Sequence, residues 1–196
     1  MKLFLIALVA LMPSFAANPE PDKGKSLGSA AAPTTIEVFS DFTCPHCRVF
    51  HEQTLPLIMK DYVVKGRVYV VHRDFPLTGP GHQYSREASG YATAAARIGR
   101  YEEVANALFA NQAVWAMNGK VWDYVAAVLS PADQKKVQAL AKAPGVAAEI
   151  ERECQEGVSS GVNSTPTLIV SHGAKRYPLP STVDYSLLRS FLDGLK

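Results

Sequence analysis

The 196-residue sequence predicts an α/β domain that a helical insertion divides in two. Two observations carry this prediction: a strand–helix–strand pattern over 34–79, and a strand–strand–helix pattern over 160–196 after an all-helical stretch over 80–159. Apolar residues make up 47% of the chain, which is enough for a packed core. The net charge of +2 does not indicate a nucleic-acid partner, and we expect none.

The first 17 residues have the pattern of a secretory signal peptide. Lys2 precedes an apolar run over 3–12, and Ser14-Phe15-Ala16 is a small-x-small cleavage site. The apolar run is shorter than the ~20 residues of a membrane-spanning helix, although an uncleaved anchor is the alternative. We expect an exported, periplasmic protein, in a compartment where disulfides persist. Residues 18–33, rich in Pro, Gly, Ala and Lys, predict a flexible linker.

The first strand is predicted from the β-branched and aromatic residues of 34–42. A helical pattern begins at Pro45, with Pro56 expected to kink or divide the helix and Gly66 to end it. Residues 67–75 form the second predicted strand. Reaction sites of open α/β sheets lie at the carboxyl ends of strands, and the sequence FTCPHC stands there.

The helical stretch and the last segment carry their own boundary signals. Ser130 followed by Pro131 predicts a capped helix start. A strand over 165–171 is followed by a short hairpin, and Asp184 is placed to cap a final helix. Five apolar residues of that helix are expected to face inward: Leu187, Leu188, Phe191, Leu192 and Leu195.

Three cysteines, Cys44, Cys47 and Cys154, allow three interpretations of the first pair. A structural zinc site needs about four Cys or His ligands, of which Cys-x-x-Cys supplies two. A disulfide across so short a loop removes little chain entropy, so a purely structural bond is unattractive. A reactive pair is the third interpretation, and we favour it. Cys154, at helical spacing from Val146 and Ile150, is expected to be a small buried hydrophobe.

The reactive interpretation has a physical basis in the predicted helix start. Cys44 precedes Pro45 at the first turn, where free backbone N–H groups and the helix dipole favour an anion. His46 is expected to add a positive charge or a hydrogen bond, lowering the pKa of Cys44 into the range of about 3.5–7.5. Cys47, one turn inward, would resolve a mixed disulfide. Because a stable thiolate favours the reduced pair, this pattern predicts a thiol oxidant.

Thr165-Pro166 stands at the start of a predicted strand, about 120 residues after the cysteines, where a trans proline costs no ladder bond. Together with FSDFTCPHC, VVHRDFPL, LFANQAVW and GVNSTPTLIV, it resembles the DsbA-like thiol:disulfide oxidoreductases of the thioredoxin superfamily, over roughly 33–195. The resemblance implies a thioredoxin fold over 34–79 and 160–196, with a helical domain inserted over 80–159. It also implies a cis Thr165–Pro166 bond facing the cysteines, with Thr165 free to pair with an extended peptide.

The resemblance further implies a monomeric periplasmic oxidase whose nucleophile is Cys44 and whose resolving thiol is Cys47. Its substrates would be unfolded exported proteins, and a membrane partner of the DsbB kind would reoxidise it. The redox-active disulfide would be its only reactive group, with no bound cofactor or metal. Many relatives carry an acid six residues before the first cysteine, where this chain has Val38, and water can take that role.

Two alternatives stay open at this point. One is a disulfide isomerase or reductase of the same superfamily. The other is a periplasmic metallochaperone or peptide-binding module. Other polar residues near the motif, Asp41, Glu37, His72 and His82, are expected to be solvated, locally paired or structural.

Overall fold

The computed structural model describes residues 24–179 and 184–195, so the predicted signal peptide and the start of the predicted linker lie outside the described residues. A five-stranded sheet forms the centre, in the order β1-β3-β2-β4-β5. None of the helices in the described ranges is long and apolar enough to cross a membrane. The strands are β1 (Ser26–Leu27), β2 (Thr34–Ser40), β3 (Val68–Asp74), β4 (Thr167–His172) and β5 (Lys175–Leu179).

The sheet is mixed, as the predicted order of elements requires. β2 and β3 are parallel, and the helix between them is the crossover connection that parallel strands need, whereas β4 pairs antiparallel with both β2 and β5. In this register Val38 lies between His72 and Leu168. The predicted strand–helix–strand and strand–strand–helix units, and therefore the α/β fold with a helical insertion, are confirmed.

The connection between β2 and β3 is one continuous helical stretch with two widened turns. It consists of α1 (Pro45–Val49), a π-helical turn (Phe50–Thr54), α2 (Leu55–Ile58) and a second π-helical turn (Met59–Val63). Leu55 N–H donates to Phe50 O across the first widened turn, next to Pro56, which has no N–H to donate. Gly66, with a φ of 68°, follows the helical stretch, and β3 begins two residues later.

Between β3 and β4 the described chain is helical and packs on the other face of the sheet. Ser130 caps α7 by accepting from Asp133 N–H, as predicted. Gly157 allows α8 to lie close to the sheet, because a Cβ there would stand 2.7 Å from the Phe75 ring. The helices are α3 (Ser85–Ala96), α4 (Tyr101–Ala110), α5 (Gln112–Asn118), α6 (Val121–Ala127), α7 (Pro131–Ala141) and α8 (Pro144–Ser159).

The last helix, α9 (Tyr185–Gly194), packs on the same sheet face as the helix between β2 and β3. Asp184 caps it by accepting from Ser186 N–H, as predicted. Leu188 and Leu192 are buried there, but the prediction for Leu187 is wrong, because 65% of it is exposed. Adjacent residues of a helix point about 100° apart around its axis. Leu187 therefore lies outside the narrow apolar stripe that contains its neighbour Leu188.

The predicted flexible linker over 18–33 is wrong for its described part. Ser26–Leu27 forms β1, which pairs antiparallel with Val70 and Val71 of β3. Lys25, just before β1, is almost completely buried. Composition alone suggested a linker because strand pairing with a distant segment leaves no mark in local sequence.

Lys25 lies in a buried ion cluster between the sheet and the helical insertion. Its Nζ lies 3.0 Å from Asp74 Oδ2, at the end of β3, and 2.7 Å from Glu153 Oε2 on α8. Thr93 Oγ1 on α3 also donates to Asp74. Burial by itself lowers the pKa of Lys25, but the two carboxylates more than offset it and raise this pKa above its ordinary value. The cluster therefore ties the N-terminal strand to both parts of the fold.

Candidate active site

Cys44 stands between the end of β2 and the start of α1. It has extended backbone angles (φ −76°, ψ 120°) and occupies the N-cap position, with Pro45 in the first helical turn. Its amide N–H donates to Asp41 O, and its carbonyl accepts from Arg48 N–H. Only 5% of Cys44 is exposed, and its sulfur lies among the free N–H groups of the helix start.

The environment of Cys44 favours its thiolate. A hydrogen bond from the Cys47 side chain is the largest cause, and it lowers the pKa of Cys44 to about 5 although burial acts in the opposite direction. The Thr165 side chain and the backbone N–H groups of Cys47 and His46 lower it further. The sulfur of Cys44 is thus ionised at neutral pH, which makes it both a nucleophile and a good leaving group.

Cys47 has the opposite electrostatic setting one turn further along the helix. Burial is the largest cause that raises the pKa of Cys47, and its hydrogen bond with Cys44 raises it further. The N–H of Asp41 donates to Cys47 Sγ at 3.4 Å, the one described backbone contact that favours charge on this sulfur. At neutral pH, Cys44 is therefore the ionised, nucleophilic thiol of the pair, and Cys47 is the protonated one.

The loop before β4 closes the site from the opposite side. The Thr165–Pro166 peptide bond is cis, as the resemblance implied. Cys44 Sγ lies 3.3 Å from Thr165 O, so segments 121 residues apart meet at the reactive sulfur. The buried Thr165 hydroxyl has no other hydrogen-bond partner in the described chain, so it is free to donate to the Cys44 thiolate, the contact that lowers the pKa of Cys44.

The predicted side-chain role of His46 has less support than its backbone role. His46 and Pro45 are both exposed at the first turn. The N–H of His46 is among the groups that lower the pKa of Cys44. An additional charge from the imidazole stays a prediction.

Asp41 has a structural role beside the cysteines that the sequence did not indicate. Its side chain is completely buried, contrary to the expected solvated or local role. Oδ1 accepts from Thr43 N–H, Thr43 Oγ1 and Ser85 Oγ, and Oδ2 accepts from Leu77 N–H. His82 Nδ1 lies 3.1 Å from Oδ2. The carboxylate therefore fixes the loop before Cys44 against the helical insertion, and its place in the run SDFTC was the only signal in the sequence.

Gln112, at the start of α5, is a second residue that the sequence did not indicate. Its buried amide donates to Phe42 O at 2.7 Å and to Cys44 O at 2.9 Å. These bonds satisfy carbonyls at the turn from strand to helix. The helical insertion thus holds the cysteine loop as well as covering it.

Replacing Asp41 tests this support. We expect Asp41→Asn to lower the free energy of unfolding by about 2 kcal/mol, because one acceptor oxygen becomes an NH₂ group facing buried donors. Urea unfolding of the reduced proteins measures the difference. Asp123→Asn, at an exposed position of α6, is the matched control and should change stability by less than about 0.5 kcal/mol. An equal change in the free energy of unfolding for the two variants would contradict the structural role assigned to Asp41.

Cys154 lies outside this site and is half-buried beside Asp74 O, with a sulfur–oxygen distance of 3.8 Å. Burial raises its pKa to about 11. It is therefore a protonated, poorly reactive thiol at neutral pH. The expectation of a small buried hydrophobe is correct in kind, although the side chain is only partly covered.

These observations define a thioredoxin-fold protein with a dithiol at a helix N-terminus, facing a cis-proline loop. The chain belongs to the thioredoxin family, since the model of the family described as "Thioredoxin" matches residues 21–188. It is 35% identical over 71 residues to the probable disulfide bond formation protein D of Bacillus cereus. That match covers 32% of this chain and only about a third (33%) of the length of the relative.

Solved structures match the chain over most of its length. The crystal structure of oxidised BdbD from Bacillus subtilis has a TM-score of 0.72 at 23% identity and covers 89% of this chain and 94% of its own. The structure of Pseudomonas aeruginosa DsbA2 has a TM-score of 0.75 at 22% identity, with coverages of 91% and 97%. At this identity the likeness establishes the fold, including the helical insertion.

Proposed function

We propose that the protein is an exported thiol:disulfide oxidoreductase that donates its Cys44–Cys47 disulfide to folding proteins. The observation that carries the proposal is the opposite electrostatic setting of the two sulfurs, which stabilises the reduced pair through the Cys44 thiolate. Similarity to proteins named for disulfide bond formation supports it. The predicted signal peptide supports a periplasmic location, and the resemblance supports a membrane reoxidant of the DsbB kind.

In the proposed reaction a substrate thiolate attacks Cys44 Sγ of the oxidised pair. The S–S bond to Cys47 breaks, and Cys47 leaves as a thiolate and takes a proton. A second substrate thiolate then attacks the substrate sulfur of the mixed disulfide and releases the Cys44 thiolate. The substrate loses two electrons and gains a disulfide, while the cysteine pair gains the two electrons.

The surroundings fit each step. The low pKa of Cys44 makes its thiolate a good leaving group in the second step. Val38 stands where many relatives have an acid, so in this proposal water supplies the proton to Cys47, while the N–H of Asp41 stabilises the sulfur as it leaves. In this proposal an extended substrate pairs with the backbone of Thr165, whose carbonyl oxygen lies 3.3 Å from Cys44 Sγ.

A direct assay tests the proposal. Oxidised protein is mixed with a reduced, unfolded ribonuclease, and the loss of free substrate thiols is followed together with reduction of the Cys44–Cys47 pair. We expect one disulfide to be transferred per protein molecule, with slow insulin reduction in a parallel assay. Fast insulin reduction without transfer to ribonuclease would instead identify a reductase or isomerase.

The metal-binding alternative has a separate test. In the described part of the chain no three His, Cys, Asp or Glu side chains are grouped so as to hold a metal ion. A metallochaperone would nevertheless retain stoichiometric copper or zinc through mild chelation after purification. That result, together with full activity of a Cys44→Ser variant, would overturn the oxidoreductase proposal.

A further inference from the structure

A cavity of about 430 Å³ lies away from the cysteines, between the helix that follows β2 and helix α4. Its apolar walls come from β1, α2 and α4, and from the second π-helical turn. The volume falls within the range of small-molecule sites. The apolar and partly apolar lining residues are Leu27, Leu55, Pro56, Met59 and Ala105.

The floor of the cavity carries two polar side chains that have no hydrogen bond. His72 and Tyr101 are 6% and 7% exposed, with ring centroids 5.3 Å apart. Within 24–179 and 184–195, no residue makes a hydrogen bond with the His72 ring nitrogens or the Tyr101 hydroxyl, and these atoms are not among the fully enclosed polar atoms that lack a partner. Both residues line the cavity, so the hydrogen-bond partner of each group must come from the cavity itself, as water or as a ligand that replaces it.

Both floor groups are uncharged at neutral pH. Burial is the largest cause that lowers the pKa of His72 to about 3, and burial also raises the pKa of Tyr101 above its ordinary value. A neutral imidazole offers one donor and one acceptor, and a phenol can do both. A ligand hydroxyl can therefore accept from one floor group and donate to the other.

The remaining surroundings favour a neutral ring. His51 also lines the cavity, with its ring 6.5 Å from that of His72, and its Nε2 is already bonded to Asn106 Oδ1. Three aromatic rings thus face the cavity and can pack against a fourth. The charged lining residues, Lys60 and Glu102, are exposed and opposite in sign. The buried charges that act on His72 and Tyr101 belong to Lys25, Asp74 and Glu153, which already pair with one another, so a ligand charge would find no unpaired counter-charge there.

We propose that this cavity is a binding site for a small, neutral phenol-like compound, whose ring packs among His51, His72 and Tyr101 and whose hydroxyl pairs with the two unpartnered floor groups. The site is independent of the thiol chemistry, because neither Cys44 nor Cys47 lines it. Its existence therefore does not depend on the proposed function.

The test compares three probes of nearly equal shape on the full-length protein. 4-Propylphenol, its methyl ether and propylbenzene are titrated, and the dissociation constant is read from the shifts of the His51 and His72 ring protons. We expect the phenol to bind at least about fivefold more tightly than propylbenzene, since each net hydrogen bond contributes about that factor. The ether, which cannot donate, should fall between them. Equal affinities for the three probes would overturn the proposal without any variant.

Variants add the residue-level control. Tyr101→Phe removes only the hydroxyl and should weaken the phenol about fivefold while leaving propylbenzene unchanged. Tyr69→Phe, an equally buried tyrosine (7% exposed) on β3 outside this cavity, should change neither. Alkylation of Cys44 with iodoacetamide should also leave phenol binding unchanged. If alkylation abolishes binding, the probe occupies the cysteine site and the inference is wrong.

Discussion

Replacing Cys44 by serine should reduce disulfide transfer to the uncatalysed background, a loss of at least about 10³-fold. A serine hydroxyl stays protonated at neutral pH, whereas the helix start and the Cys47 side chain hold Cys44 as a thiolate. The ribonuclease assay measures the loss. Without the Cys44 sulfur the pair cannot form the disulfide that would be transferred.

Cys47→Ser should also lose turnover, but with a different product. Its Cys44 thiolate can still attack a disulfide substrate, and the resulting mixed disulfide lacks the thiol that resolves it. Non-reducing electrophoresis should therefore show a covalent complex for Cys47→Ser and none for Cys44→Ser.

Cys154→Ser is the matched control for both variants. Its pKa of about 11 and its position beside Asp74 keep this thiol out of exchange at neutral pH. The variant should transfer disulfides at the wild-type rate. Retention of activity in Cys44→Ser, or its loss in Cys154→Ser, would contradict the assignment of the reactive sulfur.

The second large effect is a dependence of stability on redox state and pH. The pKa of Cys44 is about 5 in the fold and about 8.5 in an unfolded chain. A group whose folded pKa is depressed stabilises the fold above the unfolded pKa, and this stabilisation is lost as pH falls through the folded pKa. For the reduced protein it amounts to roughly 4 kcal/mol at pH 8 and approaches zero near pH 5.

The oxidised protein has no thiolate, but its short disulfide loop stabilises it by about 2 kcal/mol. We therefore expect the reduced protein to be the more stable form at pH 8 and the less stable form at pH 5. The two curves should cross near pH 6.5, at roughly 1.4 kcal/mol per pH unit. Urea unfolding of both forms across this pH range measures the difference between their free energies of unfolding. Groups that titrate in the same way in both forms do not contribute to that difference.

Cys154→Ser should show the same crossing, since its thiol is protonated throughout this pH range. A constant difference between the two redox forms would mean that Cys44 is not ionised in the fold. An oxidised form that is the more stable at pH 8 would mean that the pair is a reductant.

Local patterns were sufficient for the elements that position the site. The β-branched run before the cysteines, Pro45 after Cys44, and the Ser130 and Asp184 caps are short-range signals, and the structure contains each of these elements. Cys44 lies between the end of β2 and the start of α1 for the same reason. Its neighbour in space, Thr165, came only from the resemblance, because strand pairing over 121 residues has no local signature.

What could not be predicted depends on distant partners. Lys25 looked like a linker residue because its carboxylates, on Asp74 and Glu153, are 49 and 128 positions away. Asp41 looked solvated because its donors include Leu77 and Ser85 on later segments. A charged residue in the sequence is normally at the surface, and only the folded chain shows that these are paired inside.

The two π-helical turns let one helix meet two separate demands. Its first turn must present backbone N–H groups to Cys44 and is held through the bond from Gln112 to Cys44 O, whereas Ile58 and Tyr62 pack against the sheet and α9. In a regular helix each residue turns by about 100° around the axis, so the directions in which the two ends face would be fixed relative to each other. Each widened turn contributes an extra residue, so the helix accommodates the mismatch within itself. The orientation of the first turn is consequently not tied to the orientation of the packed end by one regular helical repeat.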